Sequence, residues 1–155
     1  MGIHGFGAIG KLVAGIAKNG FGMEVAAFDP YVKAEDMAAL GIHHVASLEE
    51  LYSSCDVITI HTPLTPETKG SVNEALLSKM KPISVLVNTA RAEVVDENAL
   101  KATLEAKKDF AYCADVAPKI AADLAKQFPE KVFFTQINCG AQTEEANANC
   151  GTAAI

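Results

Sequence analysis

Short continuous apolar runs alternate along this chain with stretches whose apolar positions recur every three to four residues, the pattern of strands and helices taking turns. Ile3 and His4 end a first strand that is cut short, with few residues before its loop. From Ala8 to Lys18, residues Ile9, Val13, Ile16 and Ala17 fall on one helical face, which predicts a helix that closes at Asn19 and Gly20. "MEVAAFD" predicts a second strand stopped by Pro30, and "KAEDMAALG" a short helix ending at Gly41, followed by a brief strand over residues 43–46. Ser47 and Glu50 have capping-box spacing at the start of "LEELYSS". "DVITIH" is a strand ended by Pro63, and "NEALLSKMK" a helix with Asn73 as its cap. "ISVLVNTA" is the most hydrophobic strand, as a central parallel strand covered on both faces should be. Asp96 caps a helix to about Lys107, "FAYCADV" is the next strand, and "KIAADLAKQF" is a helix stopped by Pro129. "KVFFTQ" is the last strand, and Thr143 caps a final helix to Ile155.

This alternation predicts an α/β fold, a doubly wound and mostly parallel sheet in a single domain over residues 1–155. No repeat, linker or low-complexity segment divides it. The first strand has only Met1 to His4 before its loop, and the last helix stops on Ala153, Ala154 and Ile155, whereas natural termini are usually polar and frayed. The expectation is a domain excised from a larger, two-domain parent.

Charge and composition narrow the partners. The net charge of −6 comes with Lys and Arg scattered singly, so the clustered basic face of a nucleic-acid binder is missing. No apolar run approaches the roughly 18 residues of a membrane span, and no charged segment precedes an apolar stretch at the start; a cytoplasmic location is expected. Cys55, Cys113, Cys139 and Cys150 lie 58, 26 and 11 residues apart, without a C-x-x-C pair, and read as reduced small apolar residues. Neither they nor His4, His43, His44 and His61 have metal-ligand spacing, so no metal is expected.

Gly5, Gly7 and Gly10 form G-x-G-x-x-G between a strand end and a helix start. In that context the first glycine permits a tight turn, the second lets backbone approach a pyrophosphate, and the third lets the helix pack on the strand. The free N–H groups at the helix start hold the anion. The competing reading is an ordinary strand-to-helix turn. Asp29 lies 19 residues after Gly10 at the end of the second strand, where a carboxylate accepts hydrogen bonds from the adenosine ribose; the alternative is a turn residue before Pro30. An acid there repels a 2′-phosphate, and no Arg follows in "DPYVK", whose only cation is Lys33, so NAD is expected rather than NADP.

With these motifs in place, the chain resembles the nucleotide-binding domain of the D-isomer-specific 2-hydroxyacid dehydrogenases. The resemblance runs from "GFGAIGKLVAGIAKNGFGMEVAAFDP" through "SLEELYSSCDVITIHTPLTPETKGSVNEALLSKMKPISVLVNTARAEVVDENAL" to "GAQTEEANANCG". "GFGMEV", "ADVAP" and "GAQTEEAN" look most like the family's short D-3-phosphoglycerate dehydrogenases. The resemblance implies a Rossmann-type fold with NAD as cofactor, a small 2-hydroxy acid as substrate, and a homodimeric parent. It implies that Ala8 and Ile9 between the glycines, and Thr68 of "HTPLTPET", are further cofactor contacts. Thr62 and Pro63 would lie along the adenosine half, although "HTP" also reads as a strand end before a proline turn. Thr89, Ala90 and Arg91 would approach the nicotinamide, and Asp115 would accept a hydrogen bond from its carboxamide.

Arg91 follows "VLVNTA" at the carboxyl end of a buried strand, where open α/β sheets place their ligands. A guanidinium there can clamp a 2-hydroxy acid carboxylate and polarise the carbonyl that accepts hydride; the alternative is a surface arginine paired with Glu93 or Asp96. The reaction also needs a proton donor and acceptor. Most of the family has a Glu three residues after the Asp of "DV" and a His two residues before the Gly of "GA"; here Pro118 and Asn138 stand there. "FTQINCGAQT" has the length of a subgroup motif T-P-K-K-M-G-A-Q-T, in which lysine replaces the histidine, but carries no lysine itself. The expectation is a site with Arg91 and without its base at Asn138.

Overall fold

The computed structural model describes residues 1–135. Seven parallel strands form its sheet: β1 (Gly2–His4), β2 (Ala26–Phe28), β3 (His43–His44), β4 (Val57–Ile60), β5 (Ile83–Asn88), β6 (Asp109–Ala114) and β7 (Val132–Phe134). Six α-helices connect them: α1 (Ala8–Phe21), α2 (Ala34–Ala39), α3 (Leu48–Ser54), α4 (Glu74–Lys79), α5 (Glu97–Ala106) and α6 (Ala121–Gln127).

The strand order is β3-β2-β1-β4-β5-β6-β7. The chain winds outward from β1 to β3, crosses back through α3, and continues in the other direction from β4. Ile3 is therefore in register with Ala27 on one side and Thr59 on the other, and the winding reverses between β1 and β4. That reversal opens a crevice beyond the carboxyl ends of the strands.

Two apolar clusters hold the layers together. Ile3, Phe6, Ala14, Ala17, Val25, Ala27, Met37 and Ile42 join α1 and α2 to one face. A larger cluster, with Leu51, Tyr52, Leu77, Leu86, Leu100, Phe110, Tyr112 and Leu124, joins α3 to α6 to the other. On the first face, beyond α1, Ile83 and Phe133 are exposed, and half-buried Val57, Val85, Val87, Ala111 and Cys113 belong to neither cluster. No helix among the described residues is long and apolar enough to cross a membrane.

Local signals set three of the six helix starts. Ser47 Oγ accepts from the Glu50 N–H at 3.1 Å, Asn73 Oδ1 from Leu76 at 3.3 Å and Asp96 Oδ1 from Ala99 at 2.8 Å, each relieving one orphan donor. The expected end of the first helix is corrected: α1 runs through Gly20 to Phe21. Gly22 closes it with φ at 65°, a left-handed conformation that glycine adopts without a Cβ penalty.

Of the apolar face expected on α1, Ala17 is buried and Val13 packs against the core, but Ile9 and Ile16 do not turn inward. Gly10, Ala14 and Ala17 face the core, while Ile9 and Ile16 are 59% and 60% exposed and Val13 is only half-buried. A Cβ on Gly10 would lie 2.2 Å from Gly5 O, so α1 approaches β1 too closely for large side chains, and small ones line the contact. A 3₁₀ turn over Ala92–Val94, absent from the sequence reading, precedes α5. The strands are shorter than expected at their ends; β7, for example, covers Val132–Phe134.

The last turns of two helices are closed by lysines from distant positions. Lys107 Nζ donates to the carbonyls of Leu77 and Ser78 in the last turn of α4 and of Met80 just beyond it. Lys131 Nζ donates to those of Leu104 and Lys107 at the end of α5, and lies 5.6 Å from the centre of the Phe128 ring. A cation at a helix carboxyl end complements both the unpaired carbonyls and the helix dipole.

Candidate functional site

The glycine loop leaves β1 with Gly5 at φ 97°, where a Cβ would crowd the His61 backbone at 3.0 Å. Gly7 caps α1 without a side-chain hydrogen bond, has no acidic residue in the turn after it, and faces open space where a Cβ would stand. The first N–H groups of α1 are thus left without a side-chain cap or an acidic residue in their own turn, which suits a phosphate. Ala8 and Ile9 are exposed on this turn, and Gly10 is buried against Gly5.

Asp29, at the end of β2, faces the same loop. Its Oδ2 accepts from the Phe6 N–H at 2.8 Å and its Oδ1 from the Tyr31 N–H at 2.9 Å. Asp29 thus belongs to both the turn and the loop.

Beyond β1, β4 and β5, an open cleft of about 500 Å³ is lined by Ile9, His61, Thr62, Pro63, Leu64, Thr89, Ala90 and Arg91. Six of the residues expected at the cofactor, Ile9, Thr62, Pro63, Thr89, Ala90 and Arg91, meet there. Thr68 is not among the lining residues: its Oγ1 donates to Pro63 O at 2.6 Å and accepts from Thr65 N–H at 2.8 Å, so it shapes the turn that carries Pro63. His61 pairs with Thr59 Oγ1 at 3.1 Å, and burial lowers its pKa. Asp115, just past β6, also lies outside that lining; its Oδ1 is buried and has no hydrogen-bond partner among the described residues. Asn138 lies outside the described residues, as do Cys139, Cys150 and the helix expected from Thr143. Among the described residues, Cys55 and Cys113 are free thiols.

Arg91 is exposed, and its Nη1 donates to its neighbour's carbonyl, Ala90 O, at 2.7 Å. It makes no ion pair with Glu93 or Asp96, and Asp96 instead caps α5. The backbone beneath it is held by Asn88, which the sequence reading did not single out. This side chain, 1% exposed, donates through Nδ2 to Arg91 O at 2.9 Å and to Tyr112 Oη at 3.3 Å. Its Oδ1 accepts from the Ala90 N–H at 3.0 Å. The signal for it was a lone amide closing an apolar run, since a polar group there must find buried partners. Burial pushes the Tyr112 hydroxyl pKa up to about 12, keeping it a neutral member of this network.

A larger cleft of about 840 Å³ lies at the opposite, amino ends of β1, β2 and β4, lined by residues including Met1, Glu24, Val25 and Asp56. It shares no lining residue with the cleft at Arg91. Among the described residues no group of three or more His, Cys, Asp or Glu could hold a metal ion.

His4, directly before the glycine loop, is buried with Nδ1 3.1 Å from Tyr52 Oη and its ring edge-on to that tyrosine. Burial lowers its pKa from 6.5 to about 4, against the opposing pull of Asp29 and with a smaller contribution from His61 in the same direction. Because the folded value lies below the unfolded one, the unfolded chain binds the proton more readily throughout the window between them. Stability from this group is full above pH 6.5 and is lost as pH falls toward 4. Between pH 7 and pH 5 the loss is expected to reach about 2 kcal/mol. Urea unfolding of wild type and His4→Asn, which keeps a polar partner for Tyr52, checks this: the variant should lose that much less over the same interval. Identical pH dependences would exclude His4 as the source.

The sequence profile described as "D-isomer specific 2-hydroxyacid dehydrogenase, NAD binding domain" matches residues 1–135. D-3-phosphoglycerate dehydrogenase from Synechocystis is 35% identical over 96% of this chain, which covers 26% of that protein. The human D-3-phosphoglycerate dehydrogenase is 37% identical over 97% of this chain, which covers 28% of it. Among solved structures, the NAD⁺-bound 3-phosphoglycerate dehydrogenase of Entamoeba histolytica superimposes with a TM-score of 0.87 at 39% identity, over 99% of this chain and 48% of its own. The chain thus spans about a quarter of the length of these curated relatives, and about half of the solved one.

Proposed function

The chain belongs to the NAD-binding domain family of the D-isomer-specific 2-hydroxyacid dehydrogenases, and from that premise we propose that it is the cofactor-binding half of a D-3-phosphoglycerate dehydrogenase. NAD is the cofactor of this domain. The proposed parent moves hydride between NAD and D-3-phosphoglycerate or 3-phosphohydroxypyruvate, as a cytoplasmic homodimer without nucleic-acid or membrane partners. The observation that carries the reading is the alignment of Gly7, Thr62 and Arg91 along the carboxyl ends of adjacent strands at the winding reversal, together with the named relatives.

In this reading the start of α1 holds the pyrophosphate, Asp29 accepts from the adenosine ribose, and Thr62 and Pro63 border the adenosine half. The bound NAD supplies the hydride acceptor. Arg91 holds the substrate carboxylate and polarises the reacting carbonyl; among the described residues its side chain has no carboxylate partner, which leaves its donors for a ligand. Asp115, with a buried oxygen that has no partner among the described residues, suits an amide donor such as the nicotinamide carboxamide.

Calorimetric titration tests the cofactor assignment. NAD is expected to bind more tightly than NADP, because a 2′-phosphate would face the Asp29 carboxylate at close range. Equal or tighter NADP binding would overturn the role given to Asp29.

A second reading is favoured by Pro118 and Asn138 at the positions where relatives of this family carry acid-base residues: a non-catalytic NAD-binding sensor or corepressor-like module. Even when saturated with NAD, the isolated chain is expected to produce no measurable NADH from D-3-phosphoglycerate. Loss of a general acid-base group costs about 10² to 10⁴ in rate, and without a second domain the substrate is neither positioned nor shielded from water. Absorbance at alkaline pH reads the result. Steady turnover would require another proton acceptor, with Lys119 the first to replace. Turnover by a two-domain form carrying Asn138→Lys, and not by its unmodified version, would mark Asn138 as the position of the missing base.

A further inference from the structure

We propose that Asp29 positions the phosphate-binding loop through the Phe6 N–H, in addition to any contact it makes with the ribose; this rests on the NAD-binding reading of the site. The loop hangs from the end of β2 by two adjacent bonds. Gly5 N–H donates to Phe28 O at 2.9 Å, and Phe6 N–H donates to Asp29 Oδ2 at 2.8 Å. The first is backbone to backbone and continues the β1–β2 pairing. The second depends on a side chain, so it is the bond a substitution can remove.

Phe6 is completely buried, its ring in the cluster beneath α1. Its N–H, once deprived of the carboxylate, has little access to water, and an unpaired buried donor is costly. The loop would shift to relieve it. Asp29 is itself fixed by the Tyr31 N–H on Oδ1, so the carboxylate is held at both oxygens and cannot swing away from the loop. Each oxygen still has a lone pair for a ribose hydroxyl. One carboxylate therefore couples the two halves of the nucleotide site: it fixes the loop that takes the phosphates while facing the sugar.

A carboxylate that served the ribose alone makes a different prediction from one that also holds the loop. 2′,3′-Dideoxy-ADP lacks both hydroxyls but keeps the diphosphate. Removing a negative charge near a phosphate site by itself favours anion binding, so weaker binding of the dideoxy nucleotide to Asp29→Ala would have to come from the loop.

The test has two readouts on the whole chain. In the absence of ligand, hydrogen exchange at the Phe6 amide is expected to accelerate by at least about tenfold in Asp29→Ala, from loss of a bond to a charged acceptor. The Leu86 amide in central β5 should keep its rate. In titrations, Asp29→Ala is expected to weaken both ADP and 2′,3′-dideoxy-ADP, with Asp29→Asn, which retains one acceptor oxygen, between it and wild type. Unchanged Phe6 exchange, or dideoxy-ADP binding that is unchanged or tighter, would overturn the proposal. Failure of the wild type to bind ADP at all would overturn the NAD-binding reading, and the exchange measurement would still decide whether Asp29 holds Phe6.

Discussion

Gly10→Ala is expected to abolish measurable NAD binding and to destabilise the chain by about 3 kcal/mol, the upper part of the usual range for overpacking a tight contact. The new methyl would lie 2.2 Å from Gly5 O, and 3.2 Å from both Gly5 C and Ile3 Cγ2. The first two are backbone atoms and cannot turn aside, so α1 must retreat from β1. Retreat opens the contact that Ala14 and Ala17 make beneath the helix, and it moves the free N–H groups away from the glycine turn. Gly7→Ala separates the two effects. Its φ of −75° is open to any residue, and no atom stands within 4 Å of the added methyl, so stability should hold. The methyl would occupy the approach proposed for the pyrophosphate, and NAD affinity should fall. Urea unfolding and calorimetry on both variants check the pair. Wild-type stability in Gly10→Ala would show that the contact beneath α1 relaxes at little cost.

Asn88→Leu is expected to cost a similar amount, about 3 kcal/mol, for a different reason. The substitution keeps the volume near constant but strips partners from the Ala90 N–H, the Arg91 carbonyl and the Tyr112 hydroxyl. Each unsatisfied buried group costs about 1 to 3 kcal/mol; Ala90 and Arg91 lie close enough to the surface for water to recover part of it. Arg91 should also lose its fixed backbone, so a carboxylate ligand such as oxalate would bind the NAD-saturated variant more weakly than wild type. Asn88→Asp keeps the acceptor for Ala90 but replaces a donor with a buried charge, and should be no more stable. If Asn88→Leu unfolds at the wild-type urea concentration, the amide network does not carry the turn.

Much of this protein was open to local reading. Ser47, Asn73 and Asp96 were identifiable as caps because each bonds a backbone N–H only three residues away, so no distant partner is needed to give them their role. Strand and helix alternation was legible for the same reason: period follows from the residues inside each element. The G-x-G-x-x-G spacing and Asp29 identified a nucleotide-binding pattern because both lie within the first strand-helix-strand unit.

What the sequence by itself determined, then, was the kind and order of the elements, the α/β class and the family's cofactor, since these depend on periodicity, short-range hydrogen bonds and motif spacing. The tertiary structure decided which face of α1 is inward, because the approach of Gly10 to Gly5 outweighs the apolar character of Ile9 and Ile16. It also decided that Asn88 underlies Arg91, that Lys107 closes a helix some thirty residues away, and that Asp29 at the end of β2 reaches Phe6 past the end of neighbouring β1. Each of these joins groups through space at a cost in burial or desolvation that only packing reveals, and no spacing along the chain encodes it.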